Sequence, residues 1–260
     1  MTGGSGSVVE RSPMVLAIDT ATPQVSVALG CSGGPVASIH VAGGRRHGDL
    51  VAPAIAEVCR LAQTSLPDVD AIAVDVGPGL FTGLRVGVAT ARALVSALGV
   101  PGVGLTSVEI LAGAHRHQRR HVVAIVDARR SEVFWASFRP AAGELVQVAP
   151  AAVASPEAVA AALIALDGGA LVVGDGALRY RRTFEALADI EVAGPEDAHP
   201  SASVAARLAA VRLGETDATA GSAGAGVGIE PLYLRQPDVR IGWISRPGPV
   251  VDPASLTAHG

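Results

Sequence analysis

From Met14 onward the apolar residues fall into short runs separated by turn residues. Val15-Leu16-Ala17-Ile18 is continuous enough for a buried strand, Val25 to Leu29 alternates as a hairpin partner would, and Val36 to Val41 supplies a third strand. Between Asp49 and Ala62 the period lengthens. Leu50, Ala54, Ile55, Val58 and Leu61 recur at helical spacing, with Glu57 and Arg60 opposite. Ala71 to Asp75 predicts another buried strand, Gly77 to Gly83 a glycine-rich turn, and Leu84 to Leu98 a helix stopped by Gly99 and Pro101. Val100 to Leu105 then crosses out of this unit.

A second run follows in similar order. Strands are expected at Val122 to Val126, Glu132 to Phe138 and Glu144 to Val148, then a helix at Pro156 to Leu166. A strand at Ala170 to Val173, a helix at Leu178 to Ala188, a short strand at Ile190 to Val192 and a helix at Ser201 to Arg212 complete it. The order β-β-β-α-β-α thus occurs twice, which predicts an α/β chain of two lobes with mixed sheets. This duplicated order resembles that of the actin and hexokinase group, whose two lobes flank a nucleotide cleft. The expected division is a first lobe over 14–106, completed by a return segment at about 200–240, and a second lobe over 107–199. Residues 1–13 read as a disordered Gly/Ser-rich tail, 214–228 as a flexible Gly/Ala-rich loop, and 247–260 as a disordered tail.

Composition narrows the chemistry. The chain is 49% hydrophobic and 17% charged, which suits compact soluble domains, and no stretch reads as a membrane span or a secretion signal. Cys31 and Cys59 lie far apart and form no CxxC pair, so free thiols in a reducing cytoplasm are expected. All 20 Lys+Arg residues are arginine. Without lysine there is no P-loop lysine, Schiff-base lysine or Ser–Lys dyad. With a net charge of −4, the arginines form only short clusters: Arg116, Arg119 and Arg120; Arg129 and Arg130; Arg179, Arg181 and Arg182. These read as solvated faces and helix C-termini, so the chain alone is not expected to grip a nucleic-acid backbone firmly. No GxSxG elbow occurs, and no paired-carboxylate pattern rises above background.

Three segments carry a family resemblance. They are Ala17-Ile18-Asp19-Thr20-Ala21-Thr22, the run from Gly77 to Gly87 (GPGLFTGLRVG), and Glu230-Pro231-Leu232-Tyr233-Leu234-Arg235. The first resembles the opening strand and turn of the TsaB family. The second resembles its GPGSFTGxRxG signature, with Leu80 where Ser is usual, and the third its closing EPxYLR. The pattern covers about residues 14–240. The paralogous TsaD branch shares a looser form of the central motif.

The glycine run follows a strand and opens a helix, where backbone N–H groups can hold an anion. On that reading Asp19, Thr20, Gly77 and Gly79 would touch a phosphate or nucleotide. Gly77, Gly79 and Gly83 can equally serve only the turn and the packing of helix on sheet. Asp19 stands where superfamily ATPases keep a metal- or phosphate-orienting acid, and can equally close an Asx turn before Pro23. The second-lobe counterpart, Asp127 to Glu132, has Arg129 and Arg130 where an ATPase needs glycines. Gly174-Asp175-Gly176-Ala177 is only a partial adenosine-side loop. The TsaD branch carries an HxxxH metal pair after its crossover strand; here those places hold Ser107 and Leu111, so no metal site and no catalytic residue is expected. His115 and His117 read as a basic helix end, and His47 as a surface residue at a helix N-terminus. Gly83, Gly87 and Ala91 form a small-residue stripe on the all-round apolar helix, and Arg85 and Arg92 share another. All five are expected at a partner interface.

The resemblance implies a non-catalytic scaffold. Such a chain pairs with TsaD and, with the ATPase TsaE, supports transfer of threonylcarbamoyl to N6 of the adenosine at tRNA position 37. It implies a homodimer when alone, tRNA only through the complex, and ATP or ADP, if any, at the interface with the partner. The rival readings are a nucleotide-dependent phosphotransferase of the same superfamily and a peptidase homologue.

Overall fold

The computed structural model describes residues 12–42, 44, 46–141, 144–219 and 228–234. Its first sheet is built from β1 (Val15–Asp19), β2 (Gln24–Cys31), β3 (Gly34–Ala42), β4 (Ala71–Gly77) and β5 (Gly102–Thr106), in the order β3-β2-β1-β4-β5. β2 runs antiparallel to β1 and β3, while β4 runs parallel to β1 and β5. β1 and β4 are buried along their whole length. Strands apolar on both faces need cover on both faces. One face is covered by α1 (His47–Ala62) and α2 (Phe81–Leu98), whose Val51, Ile55, Val58, Val88 and Ala91 join Leu16, Ile18 and Val74 in one core. The other is covered by α7 (Ala202–Thr219). Ala202, Ala205, Ala206, Ala209 and Ala210 recur at helical spacing and bring that helix close to Ala17, Ala28 and Ala73.

The second sheet repeats this plan. It contains β6 (His121–Arg129), β7 (Glu132–Ala141), β8 (Glu144–Gln147), β10 (Ala170–Val173) and β11 (Ile190–Val192) in the order β11-β10-β6-β7-β8, with β9 (Ala152–Ala154) on β7. Read from the meander end, each sheet is third strand, second, first, fourth, fifth. α4 (Pro156–Ile164) and the short helices α5 (Asp175–Arg179) and α6 (Arg181–Glu185) cover one face; α3 (Ser107–Gly113) packs on the other. The helix that follows the first sheet thus packs on the second, and α7, which follows the second, packs on the first. This exchange joins the two lobes into the mixed-sheet α/β architecture expected of an actin-like fold.

Several elements differ from the sequence expectation. α2 begins at Phe81 rather than Leu84, because the turn is complete within Gly77–Leu80 and Leu84 N already donates to Leu80 O at 3.0 Å. The helix expected at 178–188 starts directly after Gly174 and is split at Tyr180, whose φ of −109° is not helical. β9 and α3 are additional. α3 opens with a capping box: the Thr106 side chain accepts from Glu109 N at 3.2 Å, and Glu109 Oε2 accepts from Thr106 N at 2.8 Å. α7 continues through Thr219, so residues 214–219 are helical rather than the start of a flexible loop. The remainder of that loop at 220–227, the tails at 1–11 and 247–260, and Arg235 lie outside the described residues. Ser12, expected in the first tail, exchanges a 2.8 Å hydrogen bond with Ser32. α2 is long and apolar enough to cross a membrane by length and composition. Its Gly83, Leu84, Gly87, Val88 and Ala91 are nonetheless buried against the chain's own sheet.

Candidate functional site

The parallel pairing of β1 with β4 sets Ile18 opposite Val74, so the next residues, Asp19 and Asp75, leave their strands side by side. Both are 0% exposed. Asp19 Oδ1 accepts from Ala21 N at 2.8 Å, and Asp75 Oδ1 accepts from Gly77 N at 2.7 Å and from Ser107 Oγ at 2.8 Å. The second oxygen of each has no hydrogen-bond partner apart from the facing carboxyl group. Burial, and then the charge of Asp75, push the Asp19 carboxyl well above the usual carboxylate range. Burial raises Asp75 to about 6, opposed by its hydrogen bonds from Gly77 and Ser107. A proton held on Asp19 lets it donate to Asp75, which removes the repulsion of two buried anions. A carboxyl pair is therefore present, contrary to the expectation of none.

The expected phosphate-contacting residues gather here, but their own chain fills the space. Thr20 is fully buried and donates Oγ1 to Gly83 O at 2.7 Å. A Cβ at Gly79 would overlap the Ala21 carbonyl, and one at Gly83 the Thr20 carbonyl. Gly77, at φ 105°, lies against Leu84 and the Leu232 carbonyl. The glycines therefore serve a close approach of protein to protein. Asp19, Thr20 and Gly77 are buried and Gly79 is half-buried, each packed by its own chain.

The small-residue stripe turns the same way. Gly83, Gly87 and Ala91 are buried, and a Cβ at Gly87 would overlap Thr20 Oγ1. The stripe seats α2 on β1 and its turn, so it is not a face open to a partner. Arg85 and Arg92 do point outward, as do Ala89 and Ala93. His47 is another correction. It is 5% exposed, and its Nε2–H donates to the Thr22 carbonyl at 2.7 Å, tying the start of α1 to the turn after β1.

Two of the signature segments meet on the surface. Leu232 N donates to Val76 O at 2.7 Å, which lays residues 228–234 along the first lobe. The Arg85 guanidinium lies 3.8 Å over the Phe81 ring, its Nε donates to Tyr233 Oη at 3.4 Å, and the two rings are 5.2 Å apart.

In the second lobe Asp127 ends the apolar run of β6. Its carboxylate accepts from Arg129 N at 2.9 Å and pairs with the Arg129 and Arg179 guanidinia at 3.1 and 3.5 Å. Arg129, Arg130 and Ser131 take φ values of 63, 54 and 61°, left-handed backbone that costs non-glycine residues energy. Gly174 and Gly176 pack onto Ile125, so this loop too is used internally. Asp175, raised by burial, accepts from Asp127 N at 2.9 Å. Ser107 is committed to Asp75, and Leu111 lies in the second-lobe core with Val108, Val122 and Ala124. Among the described residues, no three His, Cys, Asp or Glu side chains form a group that could hold a metal ion.

The sequence reading passed over Asp75 and saw Ser107 only as the place of an absent histidine. A lone carboxylate inside the apolar strand Ala-Ile-Ala-Val-Asp-Val was a usable signal for the first, and the Thr106–Glu109 capping pattern places the second at a helix start.

The family described as TsaD, tRNA N6-adenosine threonylcarbamoyltransferase, matches residues 40–243. The tRNA threonylcarbamoyladenosine biosynthesis protein TsaB of Haemophilus influenzae is 31% identical over 244 residues, 90% of this chain and 97% of that protein. Its counterpart in Escherichia coli is 36% identical over 165 residues, 62% of this chain and 71% of that protein. The solved structure of YeaZ from Pseudomonas aeruginosa superposes with a TM-score of 0.71 at 27% identity, covering 85% of this chain and all of that one. With a family model matching residues 40–243, a relative matched over 97% of its length and that architecture reproduced, the chain belongs to the TsaB family, within the broader TsaD-type group.

Proposed function

We propose that this chain acts in threonylcarbamoyladenosine formation on tRNA as a non-catalytic subunit that binds and orients a TsaD-type enzyme. The observation that carries this reading is the fate of Ser107 and Leu111. Where the TsaD branch keeps its HxxxH pair, this chain spends one side chain on Asp75 and the other on the second-lobe core. The buried carboxyl pair supports the same conclusion. It is 0% exposed and acts as a joint between β1, β4 and α3 rather than as an acid and base facing a substrate.

The TsaD-type partner docks on the outward faces of α1 and α2, where Ala89, Arg85 and Arg92 are exposed, and a second copy of the chain takes that face when the partner is absent. A TsaE-type ATPase joins the pair. Any ATP or ADP sits at the subunit interface, since Asp19, Thr20, Gly77 and Gly79 are packed by their own chain. The assembly works in the cytoplasm, which suits the free Cys31 and Cys59. The phosphotransferase reading is disfavoured by the filled glycine turn and the arginines of the second-lobe hairpin, and the peptidase reading by the loss of both histidine positions.

The docking face is tested by Ala89→Glu and Arg92→Glu, both at exposed positions and so neutral for folding. Pull-down of the TsaD-type subunit and light scattering of the free chain should both lose the complex. Undiminished capture and dimerisation by a folded double variant would put the interface elsewhere.

A further inference from the structure

The loop between α3 and β6, with the residue that opens β6, reads His115-Arg116-His117-Gln118-Arg119-Arg120-His121 and contains no acid. Two of its groups are satisfied locally: Arg120 pairs with Glu191 at 2.5 Å, and His115 lies 3.3 Å from Asp197. Among the described residues Arg116 and Arg119 have no acidic partner. Arg116 instead directs its Nε at His117 Nε2, 3.0 Å away. Behind it lies Arg207 of α7, 8% exposed, with Nη2 donating to Gly113 O at 2.9 Å. Burial, and then repulsion from Arg116, hold the Arg207 guanidinium below its usual range, with Glu144 opposing. Arg116 and Arg207 thus gather at the C-terminal end of α3 with Glu144 beside them, and a bound anion would offset the remaining positive charge of the loop.

The shape points to an extended anion. Two adjoining concavities of about 490 and 440 Å³ share His117, Gln118 and Arg119 in their walls, and Glu144 of the β7–β8 hairpin is the one acid lining them. They are broad and open, unlike an enclosed pocket for a small molecule. The loop sits at the opposite end of β6 from Asp127 and follows the end of α3, where Gly113 packs on α7, the helix on the face of the first sheet opposite α1 and α2. A partner docked on those helices leaves it free.

We propose that the 115–121 loop binds the phosphodiester backbone of RNA, giving the chain a contact of its own with tRNA inside the assembly. The proposal rests on the functional reading above and deepens it. Phosphate contact needs charge at the right place and no base readout, which suits arginines on an irregular loop.

The test uses full-length chain, alone and with its TsaD-type subunit, and fluorescently labelled tRNA followed by anisotropy between 50 and 200 mM salt. Arg116→Ser with Arg119→Ser should reduce the slope of log affinity against log salt by about 2, and weaken binding on the order of a hundredfold at the low-salt end, falling to roughly tenfold at the high-salt end. Arg116→Lys with Arg119→Lys should restore most of both. Unchanged affinity and slope in the serine variant overturn the proposal. Equal competition by poly-glutamate of matched charge also overturns it, by reassigning the loop to acidic proteins. Capture of the TsaD-type subunit is read in the same samples. Capture intact with tRNA affinity unchanged defeats this inference alone, whereas a wild-type chain that captures no such subunit defeats the functional reading.

Discussion

Asp75 offers a perturbation whose size follows from the structure. Its folded value of about 6 stands above an ordinary value of 3.8, so the folded protein holds more protons than the unfolded chain across that interval. Stability is therefore fully present below the interval, falls across it, and has lost about 3 kcal/mol by pH 7. Asp19, shifted in the same direction, adds to the loss. Asp75→Asn keeps an oxygen to accept from Gly77 and Ser107, cannot ionise, and offers an amide N–H to Asp19. The variant should exceed wild type by about 2–3 kcal/mol at pH 7, a rise in melting temperature of about 5–10 °C. The advantage should shrink toward zero near pH 4. Urea or thermal unfolding of both proteins from pH 4.5 to 7.5 measures it, and the difference between them cancels the other carboxylates. A variant less stable than wild type at pH 7, or an advantage that stays constant with pH, would refute the shared-proton account.

Other consequences are more compact. Gly87→Leu and Ala91→Leu place bulk against Thr20 and the sheet, so each should cost about 1–3 kcal/mol or more in a thermal melt; unperturbed melting would mean that the stripe faces outward. Arg85→Ala removes the stack on Phe81 and the bond to Tyr233. It should cost about 0.5–1 kcal/mol and speed proteolysis around residues 228–234, whereas an unchanged cleavage rate would show that the stack does not hold this segment. The purified chain should hydrolyse no ATP and no peptide above blank. A turnover abolished by Asp19→Ala in a folded protein would contradict the structural role of the carboxyl pair.

What could be read from the sequence was what periodicity and motif order encode. The duplicated order is legible because continuous apolar strands and periodic helices alternate with turn residues. The orientation of α2 was not legible. A helix apolar on nearly every side has no preferred face in sequence, and only the contact of Gly83 and Gly87 with Thr20 decides which side is inward. His47 was hidden for a related reason: a histidine at a helix start looks solvated until the turn carrying Thr22 folds over it. The Asp19–Asp75 pair depends on residues 56 positions apart meeting through a parallel register, which no local pattern announces. The capping box at Thr106 was visible locally, and the short helix behind it was obscured by the larger strand–helix alternation.

The central claim is that this chain supplies a scaffold and its partner the chemistry. The direct measurement is reconstituted threonylcarbamoyladenosine formation on tRNA with the organism's own TsaD-type, TsaE-type and threonylcarbamoyl-adenylate-forming proteins, omitting one component at a time. The account predicts modification that requires both this chain and the TsaD-type subunit, and that persists with Asp75→Asn in place of wild type. Full modification without this chain, or modification by this chain without the TsaD-type subunit, would contradict it.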